Sequence, residues 1–140
     1  TSSFVNGITT KLIQLEKAYS IIVNGGYNIR PKLIVNSKKN KKEKILNEEV
    51  SRKILPILRK IVTTKEGTAS LANVNGYEIG GKTGTAQKSI AGVYSNKKIN
   101  SFLSIFPTSK PKFVLAVMLD EPKTNNDYIY HYRDGSSKNH

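Results

Sequence analysis

The spacing of apolar residues changes once along this chain, from a helical period in the first half to extended runs in the second. In residues 12–22 and 50–61, apolar side chains recur every three or four positions, as in amphipathic helices. From residue 76 onward they fall in short runs bounded by glycine and proline, as in strands. The pattern therefore predicts an α+β fold, an antiparallel sheet with flanking helices, in one domain of 140 residues.

The first predicted helix has Thr9 or Thr10 as its candidate N-cap and ends at the stretch Asn24-Gly25-Gly26. Its inward face is expected to carry Leu12, Leu15, Ala18, Tyr19 and Ile22.

The second predicted helix follows Asn47, a capping residue, and has two carboxylates in its first turn. Pro56 removes a backbone donor inside the helical pattern, so a kink or restart is expected there, and Gly67 closes the segment. The inward face is expected to carry Val50, Ile54, Ile57, Leu58 and Ile61.

Three strands are predicted at residues 77–87, 99–106 and 113–119, with a short turn-rich connection between the second and third. The third run is apolar at every position, which predicts a central strand covered on both faces. The first is expected to be an edge strand with residues 82–85 exposed.

The formal charge of +13 would attract polyanions such as nucleic acid, acidic lipid or an anionic polymer. Most of the excess is lysine, and no arginine-rich helix with interleaved aromatic residues is present. A basic binding module for nucleic acid or an anionic surface, without catalysis, is therefore the alternative function. The densest cluster lies between predicted elements and comprises Lys38, Lys39, Lys41, Lys42 and Lys44.

Cysteine is absent, which excludes disulfides and thiolate metal sites. His131 and His140 lack the spacing of metal ligands, so neither a metal site nor a cofactor is predicted. Asp120 and Glu121 are adjacent, and on a strand they would point to opposite faces and could not form a carboxylate pair. No apolar run approaches the roughly 20 residues of a membrane span.

The most informative stretch is residues 80–87, Gly-Gly-Lys-Thr-Gly-Thr-Ala-Gln. A Lys-Thr-Gly tripeptide alone is a weak signal, because three common residues recur by chance. Here glycines flank a cation and two hydroxyls on a predicted edge strand, where a ligand backbone can approach closely and pair as an added strand.

This stretch and its surroundings resemble the class B penicillin-binding proteins, whose superfamily carries Lys-Thr-Gly among its motifs. The similar segments occur in the family's order at residues 6–10, 14–15, 18–19, 24–26, 67–69, 80–87, 94–96, 101–102, 106–107 and 120–122. The resemblance implies a partial penicillin-binding transpeptidase domain of the serine β-lactamase-like fold.

The resemblance also implies an activity, namely serine acyl transfer that cross-links peptidoglycan stem peptides. Lys82 and Thr85 would be catalytic, with Lys82 beside the substrate carboxylate and the Thr85 N–H in the oxyanion hole. Thr83, Gly84 and Thr85 would bind substrate. Implied partners are stem peptides ending in D-Ala-D-Ala, β-lactams, and cell-division or elongation proteins, with no nucleic acid. The implied location is the periplasmic face of the bacterial inner membrane, with the anchor outside this chain.

The family's serine nucleophile is not recognisable in the sequence. Ser-x-x-Lys occurs at Ser95 and at Ser109, in a predicted loop and a predicted hairpin turn, whereas the motif requires a helix that brings the lysine to the hydroxyl. Ser-x-Asn occurs only at Ser137, after Lys-Thr-Gly and so in the wrong order. Residues 1–140 are therefore expected to be the C-terminal segment of one transpeptidase domain, without the upstream nucleophile-bearing part and inactive by itself.

Overall fold

A computed structural model describes residues 11–32, 43–90, 92–125, 127, 129–131 and 135–139. In chain order its elements are α1 (Leu12–Val23), α2 (Glu48–Thr63), a 3₁₀ turn (Ser70–Ala72), β1 (Gly80–Ile90), β2 (Val93–Phe106), β3 (Phe113–Asp120), β4 (Ile129–His131) and β5 (Ser137–Asn139). This is the predicted α+β arrangement. No helix within the described ranges has the length and apolarity that a membrane crossing requires.

The main sheet is antiparallel in the order β1-β2-β3, and β4 pairs with β5 in a separate two-stranded sheet. The central strand is therefore β2, and the prediction that the third strand is central is wrong. Val114 of β3 packs against the core, but the side chains on the other face of the strand are about half exposed, namely Phe113, Leu115, Val117 and Leu119. Within the described residues nothing covers that face.

Helix α1 begins after Lys11, which takes the N-cap position in place of Thr9 or Thr10; those two lie outside the described residues. The Lys11 backbone N–H donates to Gln14 Oε1 at 2.8 Å. The predicted end of the helix is confirmed, with Asn24 as C-cap and Gly25 and Gly26 both at φ near +90°. The predicted inward face is right except at Ala18, which is exposed, and Val23 is the buried residue that the pattern missed.

A side chain cannot be accommodated at Gly26. A Cβ there would lie 2.1 Å from the Leu46 carbonyl oxygen, and the Gly26 carbonyl accepts from the N–H groups of Ile45 and Leu46. The turn after α1 is thereby joined to the segment that leads into α2.

Helix α2 is capped as predicted, since Asn47 Oδ1 accepts from the Glu49 N–H at 3.1 Å. The helix runs without a restart through Pro56. Of the predicted inward residues, Ile54, Leu58 and Ile61 face the core as expected. Val50 and Ile57 are exposed, and their neighbours Ser51 and Leu58 are buried together with Val62.

The core lies between the two helices and one face of the sheet. Val23, Leu58 and Ile105 form its centre, and Ile105 is fully buried. Gly80 lies opposite Ile105 in the sheet and packs on the α2 backbone, where a Cβ would approach the Leu58 carbonyl carbon to 3.1 Å. The start of β1 is therefore set directly by α2.

Ser51, and not Val50, faces the core at the start of α2. Its hydroxyl is buried, donates to the Ile22 carbonyl and accepts from the Gly25 N–H at 3.0 Å. This one side chain satisfies two polar groups at the end of α1 and so holds that end against α2.

Removal of the Ser51 hydroxyl should lower the stability of the fold. Ser51→Ala leaves the Gly25 N–H and the Ile22 carbonyl without their partner in the core, and we expect it to lower the free energy of unfolding by about 1–3 kcal/mol. The matched control is Ser104→Ala, another buried serine, whose hydroxyl makes only a 3.4 Å contact with the Leu115 carbonyl. Equilibrium denaturation of the folded protein measures both, and equal losses would contradict the role given to Ser51.

Candidate active site

The Lys-Thr-Gly residues lie on β1, at the edge of the main sheet. In the described residues β1 pairs with β2 on one side only. Lys82 and Thr85 are exposed, and Thr83 and Gly84 are partly buried. The predicted edge position of residues 82–85 is confirmed, and so is the exposure of Lys82 and Thr85, whereas Thr83 and Gly84 are less exposed than predicted. An extended ligand has access to that edge.

Two contacts with neighbouring elements fix the beginning of β1. Arg59 of α2 donates from Nη1 to the Ile79 carbonyl at 2.6 Å. At Gly81, a Cβ would lie 2.7 Å from Cε2 of the Phe102 ring. The two glycines before Lys82 thus allow the strand to lie against a helix on one face and an aromatic ring on the other.

Glu78 adds a third attachment just before the strand. Its carboxylate accepts from the Ser109 N–H at 3.0 Å, and its carbonyl accepts from the Thr108 N–H at 2.8 Å. The hydrogen bonds from Ser109 lower the pKa of the Glu78 carboxyl. This pair of contacts ties the entry of β1 to the connection between β2 and β3.

Lys82 presents a cation on the exposed edge strand, directly before Thr83 in the chain. Its Nζ donates to the Thr83 carbonyl at 2.7 Å, which uses one of its three donors. Strand alternation places its side chain on the same face as Gly80, which is the face that α2 covers at the start of the strand. The ion pairs within the described part of the chain do not include Lys82, so its charge is not neutralised by a carboxylate there.

A second lysine of the same strand has the opposite environment. Lys88 Nζ lies 2.7 Å from both Asp120 Oδ1 and Glu121 Oε1, and Lys97 Nζ lies 3.0 Å from Glu121 Oε2. Hydrogen bonds to Asp120 and Glu121 raise the pKa of Lys88, and those from Lys88 and Lys97 lower the pKa of Glu121.

The sequence did not predict this cluster. Asp120 and Glu121 were expected to point apart, but Glu121 has φ of 49°, which turns the chain out of the strand and brings both carboxylates to Lys88. Lys88 itself lies where the register between β1 and β2 shifts, a β-bulge.

The predicted substrate-binding residues have distinct surroundings. Thr83 Oγ1 lies 2.9 Å from Oγ1 of Thr68, a residue of the loop between α2 and β1. Gly84 lies against Ser101, whose Oγ would be 2.7 Å from a Cβ at that position. The sequence singled out residues 67–69 but could not predict this contact, because it joins residues that are 15 positions apart.

Neither Ser-x-x-Lys string lies on a helix. Ser95 is in strand β2 rather than in the expected loop, and its hydroxyl donates to the Lys88 carbonyl at 3.1 Å. Ser109 lies in the bend between β2 and β3, as predicted. Ser137, in the out-of-order Ser-x-Asn string, lies on the exposed β4–β5 hairpin. Its hydroxyl is 2.7 Å from His131 Nδ1.

The predictions about a metal site and about the lysine cluster can be addressed only for the described residues. The described residues contain no group of three or more His, Asp or Glu side chains arranged to hold a metal ion. Of the lysine cluster, Lys38, Lys39, Lys41 and Lys42 lie outside the described residues, and Lys44 Nζ lies 5.6 Å from the centre of the Tyr27 ring.

Comparison with known proteins places this geometry in a family. The family model described as the penicillin binding protein transpeptidase domain matches residues 1–139. Peptidoglycan D,D-transpeptidase FtsI of Buchnera aphidicola subsp. Baizongia pistaciae is 35% identical over 133 residues, which cover 91% of this chain and 23% of that protein. The probable peptidoglycan D,D-transpeptidase PenA of Neisseria flavescens is 30% identical over 129 residues, which cover 91% of this chain and 32% of that protein.

A solved structure shows the same similarity. Penicillin-binding protein 3 of Mycobacterium tuberculosis, complexed with ampicillin, matches with a TM-score of 0.78 and 26% identity, over 87% of this chain and 31% of that one.

The similarity covers nearly all of this chain but only part of its relatives. The chain spans 21 to 32% of the length of the curated proteins it matches. Because the family model extends over almost the whole sequence, the chain belongs to the family of penicillin-binding protein transpeptidase domains.

Proposed function

We propose that this chain is part of a serine D,D-transpeptidase that cross-links peptidoglycan stem peptides, and that it supplies the Lys-Thr-Gly strand of the active site. The observation that carries the proposal is Lys82 on an exposed strand edge, without a carboxylate partner among the described residues, in one motif with Thr83 and Thr85. The proteins it resembles include named D,D-transpeptidases.

The geometry suits an acyl donor that ends in a carboxylate. The substrate pairs along the free edge of β1, where main-chain hydrogen bonds orient it. Lys82 attracts its terminal carboxylate and assists proton transfer, and the hydroxyls of Thr83 and Thr85 donate to that carboxylate. Gly84 lets the substrate backbone approach closely.

The Thr85 N–H is proposed as one donor of the oxyanion hole. A preorganised donor of this kind stabilises the transition state by about 3 kcal/mol, provided that an attacking atom is held nearby. The second donor would be the N–H of the nucleophilic serine itself.

We propose further that residues 1–140 are the C-terminal segment of one transpeptidase domain and that the nucleophile lies upstream of them in the parent protein. The half-exposed apolar face of β3 supports this, since an apolar sheet face of a folded domain is normally covered. The match covers 31% of the penicillin-binding protein 3 chain, which also supports the proposal.

The partners and location follow from the same proposal. A relative has been solved in complex with ampicillin, so we propose that β-lactams acylate the complete protein in place of the D-Ala-D-Ala substrate. A stem-peptide substrate places the site at the periplasmic face of the inner membrane, where division or elongation proteins would be its neighbours.

The role of Lys82 can be tested in the complete parent protein. We expect Lys82→Ala to slow acylation by a fluorescent penicillin by about 100-fold or more, because carboxylate attraction and proton transfer are lost together. The matched control is Lys98→Ala, an exposed lysine on the adjacent strand β2, opposite Gln87. Lys88 is unsuitable as a control because its ion pairs with Asp120 and Glu121 join the ends of two strands.

Acylation rate constants are measured for both variants by rapid quench and gel fluorescence. Equal rate constants for Lys82→Ala and Lys98→Ala would refute the assignment of Lys82.

By itself, the 140-residue chain is expected to remain unmodified by β-lactams. An unassisted serine hydroxyl is a poor nucleophile at neutral pH, and neither Ser95 nor Ser109 has a lysine one helical turn away. Intact-mass spectrometry after incubation with excess benzylpenicillin should show only the unmodified mass. A penicilloyl adduct on any serine of the chain would show that the nucleophile is present in it.

A further inference from the structure

The hydroxyl of Thr83 has one polar neighbour in the structure that the proposed mechanism does not use. Thr68 Oγ1 lies 2.9 Å from Thr83 Oγ1, within hydrogen-bonding distance. A threonine hydroxyl can donate once and accept twice, so this contact leaves Thr83 able to bind a ligand as well.

The loop that carries Thr68 is held against the end of α2. At Gly67, a Cβ would lie 2.0 Å from the Ile61 carbonyl oxygen, so no side chain fits there. Ala69 is buried, and its N–H points to the same carbonyl at 3.4 Å. Thr68, between them, is itself exposed, so its position is set by its neighbours rather than by its own burial.

The same helix also positions Thr83. Arg59 donates to the Ile79 carbonyl, and Gly80 packs on the α2 backbone, so the start of β1 and the Thr68 loop are both attached to α2. The separation of the two hydroxyls is thus determined by one rigid element.

A bound carboxylate would fix the direction of this hydrogen bond. An ionised carboxylate only accepts, so the Thr83 O–H must donate to it. The Thr68 O–H must then donate to Thr83 Oγ1, and two O–H donors in sequence polarise each other.

We propose that Thr68 is a positioning residue, which orients the Thr83 hydroxyl toward the carboxylate of the acyl donor. This inference rests on the proposed function and adds to it a residue outside the Lys-Thr-Gly strand. Thr68 acts on recognition of the carboxylate and not on the chemical step.

The test uses the complete parent protein and benzylpenicillin, whose carboxylate stands in for that of the stem peptide. Acylation followed by rapid quench over a range of concentrations separates the dissociation constant of the noncovalent complex from the acylation rate constant. Thr68→Val removes the hydroxyl and keeps the shape. We expect it to raise the dissociation constant about five- to tenfold, the effect of one hydrogen bond, with the rate constant changed less than about twofold.

Two further variants separate orientation from structure. Thr68→Ser restores the hydroxyl and should restore the dissociation constant. Thr64→Val is the matched control in the same loop, because the Thr64 hydroxyl donates to the Lys60 carbonyl at the end of α2, 2.9 Å away, and not to the site. Its dissociation constant should equal that of the wild type.

A double-mutant cycle tests whether Thr68 acts through Thr83. In a Thr83→Val background the Thr68→Val change should have no further effect on binding. A loss of the same size in both backgrounds would show that Thr68 acts independently of Thr83 and would overturn the proposal. A dissociation constant for Thr68→Val equal to that of Thr64→Val would also overturn it.

These outcomes are distinguishable from failure of the proposed function. If the wild-type parent protein forms no penicilloyl adduct, the transpeptidase assignment fails and the role of Thr68 fails with it. If the wild type is acylated and Thr68→Val binds normally, only the role of Thr68 is lost.

Discussion

The packing of α2 against the start of β1 is the contact on which the rest of the site depends. Leu58 of α2 and Ile105 of β2 meet in the core, and Gly80 lies directly on the helix backbone. Arg59 adds a hydrogen bond to the residue before Gly80. A Cβ at Gly80 would lie 2.6 Å from Thr108 Cγ2 and 3.1 Å from the Arg59 nitrogen of the helix, so a side chain there would require the strand or its neighbours to shift just before Lys82. The glycine is therefore needed for position, quite apart from any contact with substrate.

The two lysines of β1 show how electrostatics distinguishes a structural cation from one available to a ligand. Lys88 lies between two carboxylates that hold it and raise its pKa, and it links the ends of β1 and β3. Lys82 has no carboxylate partner among the described ion pairs and reaches only a backbone carbonyl. An anionic ligand therefore competes with a neutral dipole at Lys82, whereas at Lys88 it would have to displace two charges. The net charge of +13 does not distinguish these cases; the local arrangement does.

Local patterns predicted the elements well, since periodicity and capping depend on neighbours in sequence. The Asn47 cap, the end of α1 at Asn24 and the three main strands all follow from such signals. Contacts between distant segments were not predictable. Ser51 is buried in place of Val50 because it bonds to the end of α1, and the Lys88 cluster forms because Glu121 leaves the strand with positive φ. For the same reason the sequence indicated the motif strand and the segment 67–69 but not the contact between Thr68 and Thr83.

The wrong prediction that β3 is a central strand has a different physical origin. A strand that is apolar at every position requires cover on both faces. The prediction that such a strand is central assumed that residues 1–140 provide this cover. Here the α helices cover one face, which includes Val114, and leave Leu115, Val117 and Leu119 in contact with solvent. Because Leu115, Val117 and Leu119 are already about half buried, covering the rest of each is worth roughly 1 kcal/mol, which together is a substantial part of the stability of a small domain. The apolar pattern of β3 thus supports the proposal that the chain is part of a larger transpeptidase domain, another part of which would cover this face.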